Sequence, residues 1–436
     1  MRPMHGKKLK GIAMGLNLRV NNNHVCLNAV DLHAVARKYG TPLFLYDLGC
    51  ISHTIKTVKQ YFTDGTALYY SVKANPNAAI LAHMRPLIDG VDVSSGGELA
   101  LALSVGFRPG QISFAAPGKT DAELSLAITH QIGSISTESL AELKRIEKIA
   151  ATLRKRANVS VRINPASVPG KFMVKMGGGP SQFGIDEEQC ADVFRCLKKM
   201  PHCRYTGIHV YSGTQCLDEE ALLENVRYVL QVSAQMMKVT SLKPERINFG
   251  GGFGVTYHSG QKPLNIERVC SRARRQIEVF KRENGLSRMT AIFELGRYLV
   301  AEAGIYIAQV VDIKQSRGRT ICTLDGGLNH HLAAAGRFGP LLRQNFKMCN
   351  LSNAGSAARK RVTLTGPLCT AFDILGEKVA IANPQIGHYI AILNSGAYAY
   401  SASPLFFLSR PTPRELLVNG ASVSIARESF TPDLLN

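Results

Sequence analysis

ALYYSVKANPNAAILAHMRPLIDGVDVSSGGELALALSV, residues 67–105, holds two short apolar runs, Ala67–Val72 and Gly90–Val93, and ends on a segment of helical period, Leu99–Val105. Polar residues follow each run at once: Lys73, Asn75 and Asn77 after the first, Ser94, Ser95 and Glu98 after the second. A buried strand that ends in polar residues and hands over to a helix is the repeating half of a βαβ unit, and such units build parallel sheets.

Working outward, the same texture recurs at Gln111–Phe114, Gly133–Ser136, Val159–Ile163, Gly207–Tyr211, Arg246–Phe249 and Ala291–Phe293. Helical periodicity lies between most of these runs, at Asp121–Thr129, Ser139–Leu153, Glu187–Lys199, Glu219–Val239 and Ile266–Arg282. Eight strands alternating with helices predict an α/β fold, a (β/α)8 barrel of the TIM type. An open doubly wound sheet fits less well, because its first turn would carry Gly-x-Gly-x-x-Gly opening a helix.

From about Ala308 the pattern changes to strand-like runs separated by Gly, Pro, Asn and Asp: Ile307–Ile313, Thr320–Leu324, Val362–Thr365, Tyr389–Leu393 and Ser422–Ala426. Leu16–Val20 and His24–Leu27, joined at Asn21-Asn22-Asn23, read as an earlier hairpin. The expected organisation is residues 1–41 as N-terminal strands joining a β domain, 42–305 as the barrel, and 306–436 as the β-rich C-terminal domain. Pro165–Gln182 and Cys349–Arg361 read as mobile loops.

The composition is that of a globular protein, with 45% hydrophobic and 19% charged residues over 436 positions. A net charge of +20 favours acidic partners. The basic residues come in short clusters, Arg154-Lys155-Arg156, Arg272 with Arg274-Arg275, and Arg359-Lys360-Arg361, without the aromatic platforms or module of a nucleic-acid binder. The ten cysteines form no Cys-x-x-Cys pair, so neither a disulfide framework nor a zinc ribbon is expected, and a reducing, cytoplasmic setting is. Met1 to Val20 lacks a continuous apolar core, and no run of about 18 apolar residues occurs; no membrane span is expected.

In a (β/α)8 barrel function collects at the C-terminal ends of the strands. Lys73 follows the first strand, Asp92 the second; Arg162 and Asn164 close the fifth, His209 and Ser212 the sixth; Gly250-Gly251-Gly252-Phe253-Gly254 follows the seventh, and Glu294, Gly296 and Arg297 close the eighth. Singly, each has an ordinary explanation: a solvated lysine, a tight glycine turn, a packed histidine. A lysine, a histidine, a carboxylate and a glycine-rich loop at one mouth form a chemical constellation.

These motifs resemble the fold-type III pyridoxal-phosphate decarboxylases: diaminopimelate, ornithine and biosynthetic arginine decarboxylases. The resemblance runs from about Gly40 to Pro413. It rests on Ser71–Asn75, Asp92–Glu98, His209–Gln215, Gly250–Gly254, Glu294–Arg297, Gly366-Pro367-Leu368-Cys369 and Gly396-Ala397-Tyr398. It implies an alanine-racemase-like barrel plus β domain, and pyridoxal 5′-phosphate as cofactor with Lys73 as its Schiff-base lysine. Glu294 would pair with the pyridine nitrogen and His209 stack on the ring. Asp92 would lie near the ring, and Ser212, Gly251, Gly252, Gly296, Arg297 and Tyr398 would hold the phosphate. Cys369 would act as proton donor across a homodimer. Alanine racemases place an arginine at the position of Glu294, which favours decarboxylation over racemisation.

The substrate residues depart from the best-known members. Those carry an acidic residue after the cysteine, where this chain has Thr370-Ala371-Phe372. Diaminopimelate decarboxylases also carry Arg-Pro-x-x-Tyr after the Asp-Gly-Gly turn, where this chain reads Asp325-Gly326-Gly327-Leu328-Asn329-His330-His331, with Arg337 a few residues later. Lys175–Gly184, His330-His331, Pro367–Thr370 and Ser403–Phe406 are similar to two divergent subgroups. One acts on glutamyl groups tethered to an acyl carrier protein; the other is the exosortase-associated group. The expected substrate is therefore an amino acid with a masked or carrier-tethered far end, with an acidic acyl carrier protein as partner and His331, Arg337 and Thr370 near the substrate. Free diaminopimelate is the alternative substrate, and a catalytically inactive binding or regulatory homologue the alternative of another class. Adjacent histidines on a strand point to opposite faces, so His330-His331 is not expected to bind a metal.

Overall fold

A computed structural model describes residues 7–8, 15–21, 23–62, 65–168, 171–336 and 344–431. The chain divides into two compact units. One comprises Ile55–Val255 and Lys262–Gly296; the other comprises Met1–Thr54, Thr256–Gln261 and Arg297–Asn436.

In the second unit, β1 (Leu18–Asn21) and β2 (His24–Leu27) form the expected hairpin. It belongs to a small sheet of its own rather than to the main one. β3 (Leu43–Asp47) is next in the chain.

The first unit is a closed barrel of eight parallel strands in chain order: β4 (Thr66–Ser71), β5 (Gly90–Val93), β6 (Ile112–Ala115), β7 (Ser134–Thr137), β8 (Ala157–Asn164), β9 (Cys203–Val210), β10 (Arg246–Asn248) and β11 (Thr290–Leu295). β11 pairs back onto β4, from Ala291 opposite Thr66 to Leu295 opposite Tyr70, and shuts the ring. All eight runs read from the sequence are barrel strands. Several following helices start with a Ser or Thr whose hydroxyl accepts an amide hydrogen: Ser95 from Glu98, Thr120 from Glu123, Ser139 from Glu142. In each case the glutamate reaches back to an amide at the turn, so orphan donors at the helix start are satisfied in pairs. Glu123 also accepts from Gly96 N at 2.7 Å, tying the mouth-side turn after β5 to that after β6.

The remaining strands of the second unit are β12 (Gly304–Ser316), β13 (Arg319–Leu324), β14 (Met348–Asn350), β15 (Arg359–Thr365), β16 (Ile374–Ala382), β17 (Tyr389–Leu393), β18 (Arg414–Asn419) and β19 (Ser422–Arg427). They form one sheet in the order β16-β15-β13-β12-β3-β18-β19, with β17 pairing β12 and β14.

Three expectations need correction. The barrel does not begin at residue 42: β3 pairs with β12 and β18 in the β-rich unit. All five residues of β3 are buried, and a run buried on both faces has no alternation to say which sheet it enters. Arg297 onward also falls with the β-rich unit, before the expected boundary at 305. The segments read as loops are partly paired, Val174–Lys175 with Gly213–Thr214 and β14 with β17. Two- and three-residue strands are too short to leave a periodic trace.

Candidate active site

β4 ends at Ser71, and Lys73 sits in the following single turn, Val72–Ala74. That turn is set by Tyr70 Oη donating to Asn75 O at 3.0 Å and by Asn75 Oδ1 accepting from Asn77 N at 3.2 Å. The Lys73 side chain keeps 43% of its surface exposed. Its Nζ lies 4.0 Å from Asp92 Oδ2 and 5.8 Å from the centre of the Tyr211 ring.

Asp92 and Glu294 are buried in the barrel and linked through Ser113. The Ser113 hydroxyl lies 3.1 Å from Asp92 Oδ1 and 3.5 Å from Glu294 Oε1. Glu294 Oε1 also accepts from Asn248 Nδ2, and Asn248 Oδ1 accepts from Gly250 N at 2.9 Å. His209 Nε2 stands 3.4 Å from Glu294 Oε2, a charge contact, while its Nδ1 lies 3.2 Å from Ser136 Oγ. Burial alone would raise Glu294; the charge and hydrogen bond of His209, with Asn248 and Lys73, instead hold it down at about 2. Burial pushes Asp92 well up, and the Glu294 charge pushes it further, outweighing Lys73 and Ser113. Two carboxylates in one low-dielectric space do not both ionise. Of the two, Glu294 is the one whose surroundings favour the anion, and Asp92 the one whose surroundings favour the protonated form.

The glycines after β10 leave room for backbone approach. A Cβ on Gly251 would stand 2.0 Å from Glu294 O, and one on Gly252, where φ is +85°, 2.4 Å from Gly213 O. Gln215 straps this loop to the turn after β9, accepting from Val255 N at 3.1 Å and donating to Val255 O at 2.6 Å. Ser212, buried, donates to Asn225 Oδ1. Gly296 packs against Ala74 and Ser71, beside the Lys73 turn.

Lys73, Asp92, His209, Ser212, Gly251, Gly252, Glu294 and Gly296 thus share one unit. Among the described residues the buried Asp92 Oδ2 has no hydrogen-bond partner, an arrangement that costs about 1–3 kcal/mol, and the buried His209 Nε2 has only its Glu294 contact. These two atoms, the exposed Lys73 amine, a carboxylate whose surroundings favour the anion and a glycine cradle fit a planar, phosphorylated heteroaromatic aldehyde.

In the β-rich unit Arg297 donates to Tyr257 Oη at 2.9 Å and lies 4.7 Å from the centre of the Tyr398 ring, so these two expected phosphate residues are neighbours. Cys369 is exposed. Its loop is fastened by Asp373, whose oxygens accept from Leu368 N at 2.8 Å and Leu328 N at 2.7 Å. Thr370, expected near the substrate, accepts from Phe372 N at 3.3 Å and so caps its own turn. His331 is a correction. The pair His330-His331 lies in a turn, not a strand, and both rings are buried. His331 Nε2 meets Ser395 Oγ at 2.9 Å and its Nδ1 accepts from Ala334 N at 3.2 Å, which leaves neither ring nitrogen for a substrate. Arg337 lies outside the described residues.

Asn248, Asn225 and Asp373 escaped the sequence reading. Their signal is only a polar residue beside a motif; their partners are distant in the chain.

Two outcomes follow from this geometry. Gly251→Ala is expected to lose bound pyridoxal phosphate on desalting, seen as loss of visible absorbance, while far-ultraviolet circular dichroism is retained. Burial lowers His330 to about 4 and His331 to about 3, so the unfolded chain binds more protons below pH ~6.5. Their contribution to stability is full above that pH and is lost as pH falls toward those values. At pH ~5 each is expected to have lost about 2 kcal/mol. Denaturant melts at pH 7 and pH 5 should show a smaller loss for His331→Gln than for the parent.

The family model for the pyridoxal-dependent decarboxylases, pyridoxal binding domain, matches residues 48–301. The L-glutamyl-(BtrI acyl-carrier protein) decarboxylase of Niallia circulans is 36% identical over 410 residues, 93% of this chain and 95% of that protein. The 2-((L-alanin-3-ylcarbamoyl)methyl)-2-hydroxybutanedioate decarboxylase of Staphylococcus aureus is 30% identical over 374 residues, 85% of this chain and 92% of that protein. Among solved structures, the diaminopimelate decarboxylase of M. jannaschii in complex with L-lysine matches with a TM-score of 0.88 at 26% identity, over 96% of each chain. With the barrel, the buried carboxylate pair and these likenesses together, the chain belongs to the pyridoxal-dependent decarboxylase family.

Proposed function

We propose that the chain removes the α-carboxylate of an amino acid whose far end is masked by a carrier thioester or another conjugate, and that it works as a homodimer. The observation that carries this reading is the fate of the first carboxylate after Cys369. A free distal ammonium needs an acidic partner, and an unpaired charge at that position would be costly to bury. Residues 370–372 supply none, and both oxygens of Asp373 are spent on the Leu368 and Leu328 amides. Phe372, 58% exposed, stands on the loop instead. The Niallia relative acts on a carrier-linked glutamyl group, and the Staphylococcus relative on an alanine joined through its carbon 3 to a hydroxybutanedioate. Both substrates have conjugated far ends.

Bound pyridoxal phosphate supplies the sink for the electron pair left when the carboxylate departs. Lys73 would offer the amine that holds it covalently, and Glu294 would keep a proton on the ring nitrogen. His209 would pack on the ring, and Asp92 would lie near it beside Lys73. The Gly250–Gly254 turn, Ser212 and Gly296 would hold the phosphate, a task the family resemblance also gives to Arg297 and Tyr398. Cys369 would give its thiol proton to the carbon that has lost CO2.

A second reading, decarboxylation of free meso-diaminopimelate, is favoured by the likeness to the M. jannaschii structure. CO2 release separates the two. A glutamyl-carrier thioester is expected to give kcat/KM at least about tenfold above free meso-diaminopimelate, a gap the size of one lost polar anchor. The reverse order overturns the masked-end reading. Cys369→Ala is expected to keep the cofactor and lose most turnover; turnover equal to the parent would remove the proton-donor assignment.

A further inference from the structure

We propose that the exposed basic edge formed by Arg317, Arg319, Arg359, Lys360, Arg361 and Lys378 is the docking surface for an acidic carrier protein that delivers the substrate. The inference rests on the carrier-linked reading above and assigns a surface to it.

The strand register assembles this edge from distant parts of the chain. Ile321 of β13 lies opposite Thr363 of β15, so Arg319 runs beside Arg361 two residues earlier on each strand. Arg317 stands in the turn that joins β12 to Arg319, and Ser316 pairs with Arg319. On the other side Arg361 pairs with Ala380, and Lys378 stands two residues before Ala380 in the same strand. All six cations are exposed. Neighbouring strands are about 4.8 Å apart, so these charges lie within roughly a Debye length of one another at physiological salt.

Pairing separates this edge from the other basic clusters. Arg268 and Arg272 lie against Glu219 and Glu220, and Arg274 against Glu278, so that cluster is largely neutralised on its own surface. At the β13–β15–β16 edge the nearby carboxylates are Asp312 and Glu377, and among the described residues Arg319 alone of the six has an ion pair, to Glu377 at 3.4 Å. Among the described residues Arg154-Lys155-Arg156 has no ion pair either, but it precedes β8 and so lies at the N-terminal end of the barrel strands, the face that does not carry function. Unpaired like charge repels itself in the folded state and attracts a surface of opposite sign.

The edge is also joined to the chemistry by one element. β15 begins at Arg359 and runs straight into Gly366-Pro367-Leu368-Cys369. At about 3.3 Å per residue, Arg361 is about 13 Å from Thr365 along the strand. A carrier held at the basic end has the Cys369 loop at the other end of the same strand. A substrate on a flexible prosthetic arm needs that offset between the docked protein and the reacting group. Complementary charge of this kind acts mainly on encounter, and hence on KM and its salt dependence, rather than on the chemical step.

The test compares the intact enzyme with Arg359→Glu/Lys360→Glu/Arg361→Glu, and with Arg154→Glu/Lys155→Glu/Arg156→Glu as a control of matched charge change. Each is loaded with cofactor and assayed by CO2 release on a glutamyl-carrier thioester and on the glutamyl thioester of N-acetylcysteamine, which needs no protein docking. In the β15 variant KM for the carrier substrate is expected to rise by about tenfold or more at low salt and to lose its salt dependence. Its kcat, and both constants for the small thioester, should stay at parent values, as should all constants of the control. An unchanged carrier KM, or an equal rise in the control, overturns the docking surface and leaves the carrier-linked reading standing. If the parent turns over the small thioester but not the carrier form, both fall. If the glutamate variant fails to fold, the corresponding alanine variant serves, with the same split between the two substrates. Tighter, salt-sensitive retention of duplex DNA or anionic vesicles than of the carrier protein assigns the edge to another partner and overturns the proposal.

Discussion

The seam between β4 and β11 is the constraint on which the candidate site depends. It pairs residues more than two hundred positions apart, Thr66 to Tyr70 with Ala291 to Leu295, and closes the ring of parallel strands. Closure brings Lys73, just past the end of β4, beside Gly296, just past the end of β11. It also leaves the lumen without an edge, so polar side chains pointing inward must satisfy one another. They do so through small hydroxyls: Ser113 links Asp92 and Glu294, and Ser136 supports His209 and meets Ser160. Many barrels of this type fill the lumen with branched apolar residues. Here the lumen is polar and holds two carboxylates.

That charge is divided unequally. Glu294 has three partners that favour its anion, His209, Asn248 and Lys73, whereas Asp92 faces the anion of Glu294. This inequality gives the lumen a direction, with the side of Glu294 favouring a positive charge. Asn248 matters twice in this scheme, since it donates to Glu294 and accepts from Gly250. One amide therefore couples the carboxylate to the glycine-rich turn.

In the β-rich unit a second buried carboxylate has a different task. Asp373 holds two backbone amides from two loops and brings the Cys369 turn against the Asp-Gly-Gly turn. Gly327 and Gly366 crowd it so closely that a Cβ on either would stand 2.3 Å from its carboxylate. A residue that could be taken for a substrate anchor from its place in the sequence is thus a brace. The surface charge shows the same limit of local reading, since three basic clusters look alike in the sequence and differ in whether carboxylates face them.

The sequence by itself determined the eight barrel strands and, through its family motifs, the reaction class. Strand-end positions, glycine turns and caps are local, so a short stretch of chain carries them. Tertiary structure alone decided that Leu43–Asp47 belongs to the β-rich sheet, because a strand buried on both faces carries no mark of its neighbours. It decided that His331 is a packed, neutral ring, because burial and the Ser395 contact come from elsewhere in the chain. It decided which of the two carboxylates sits where the anion is favoured, because that depends on distances between Asp92, Glu294, His209 and Lys73 that no spacing along the chain encodes.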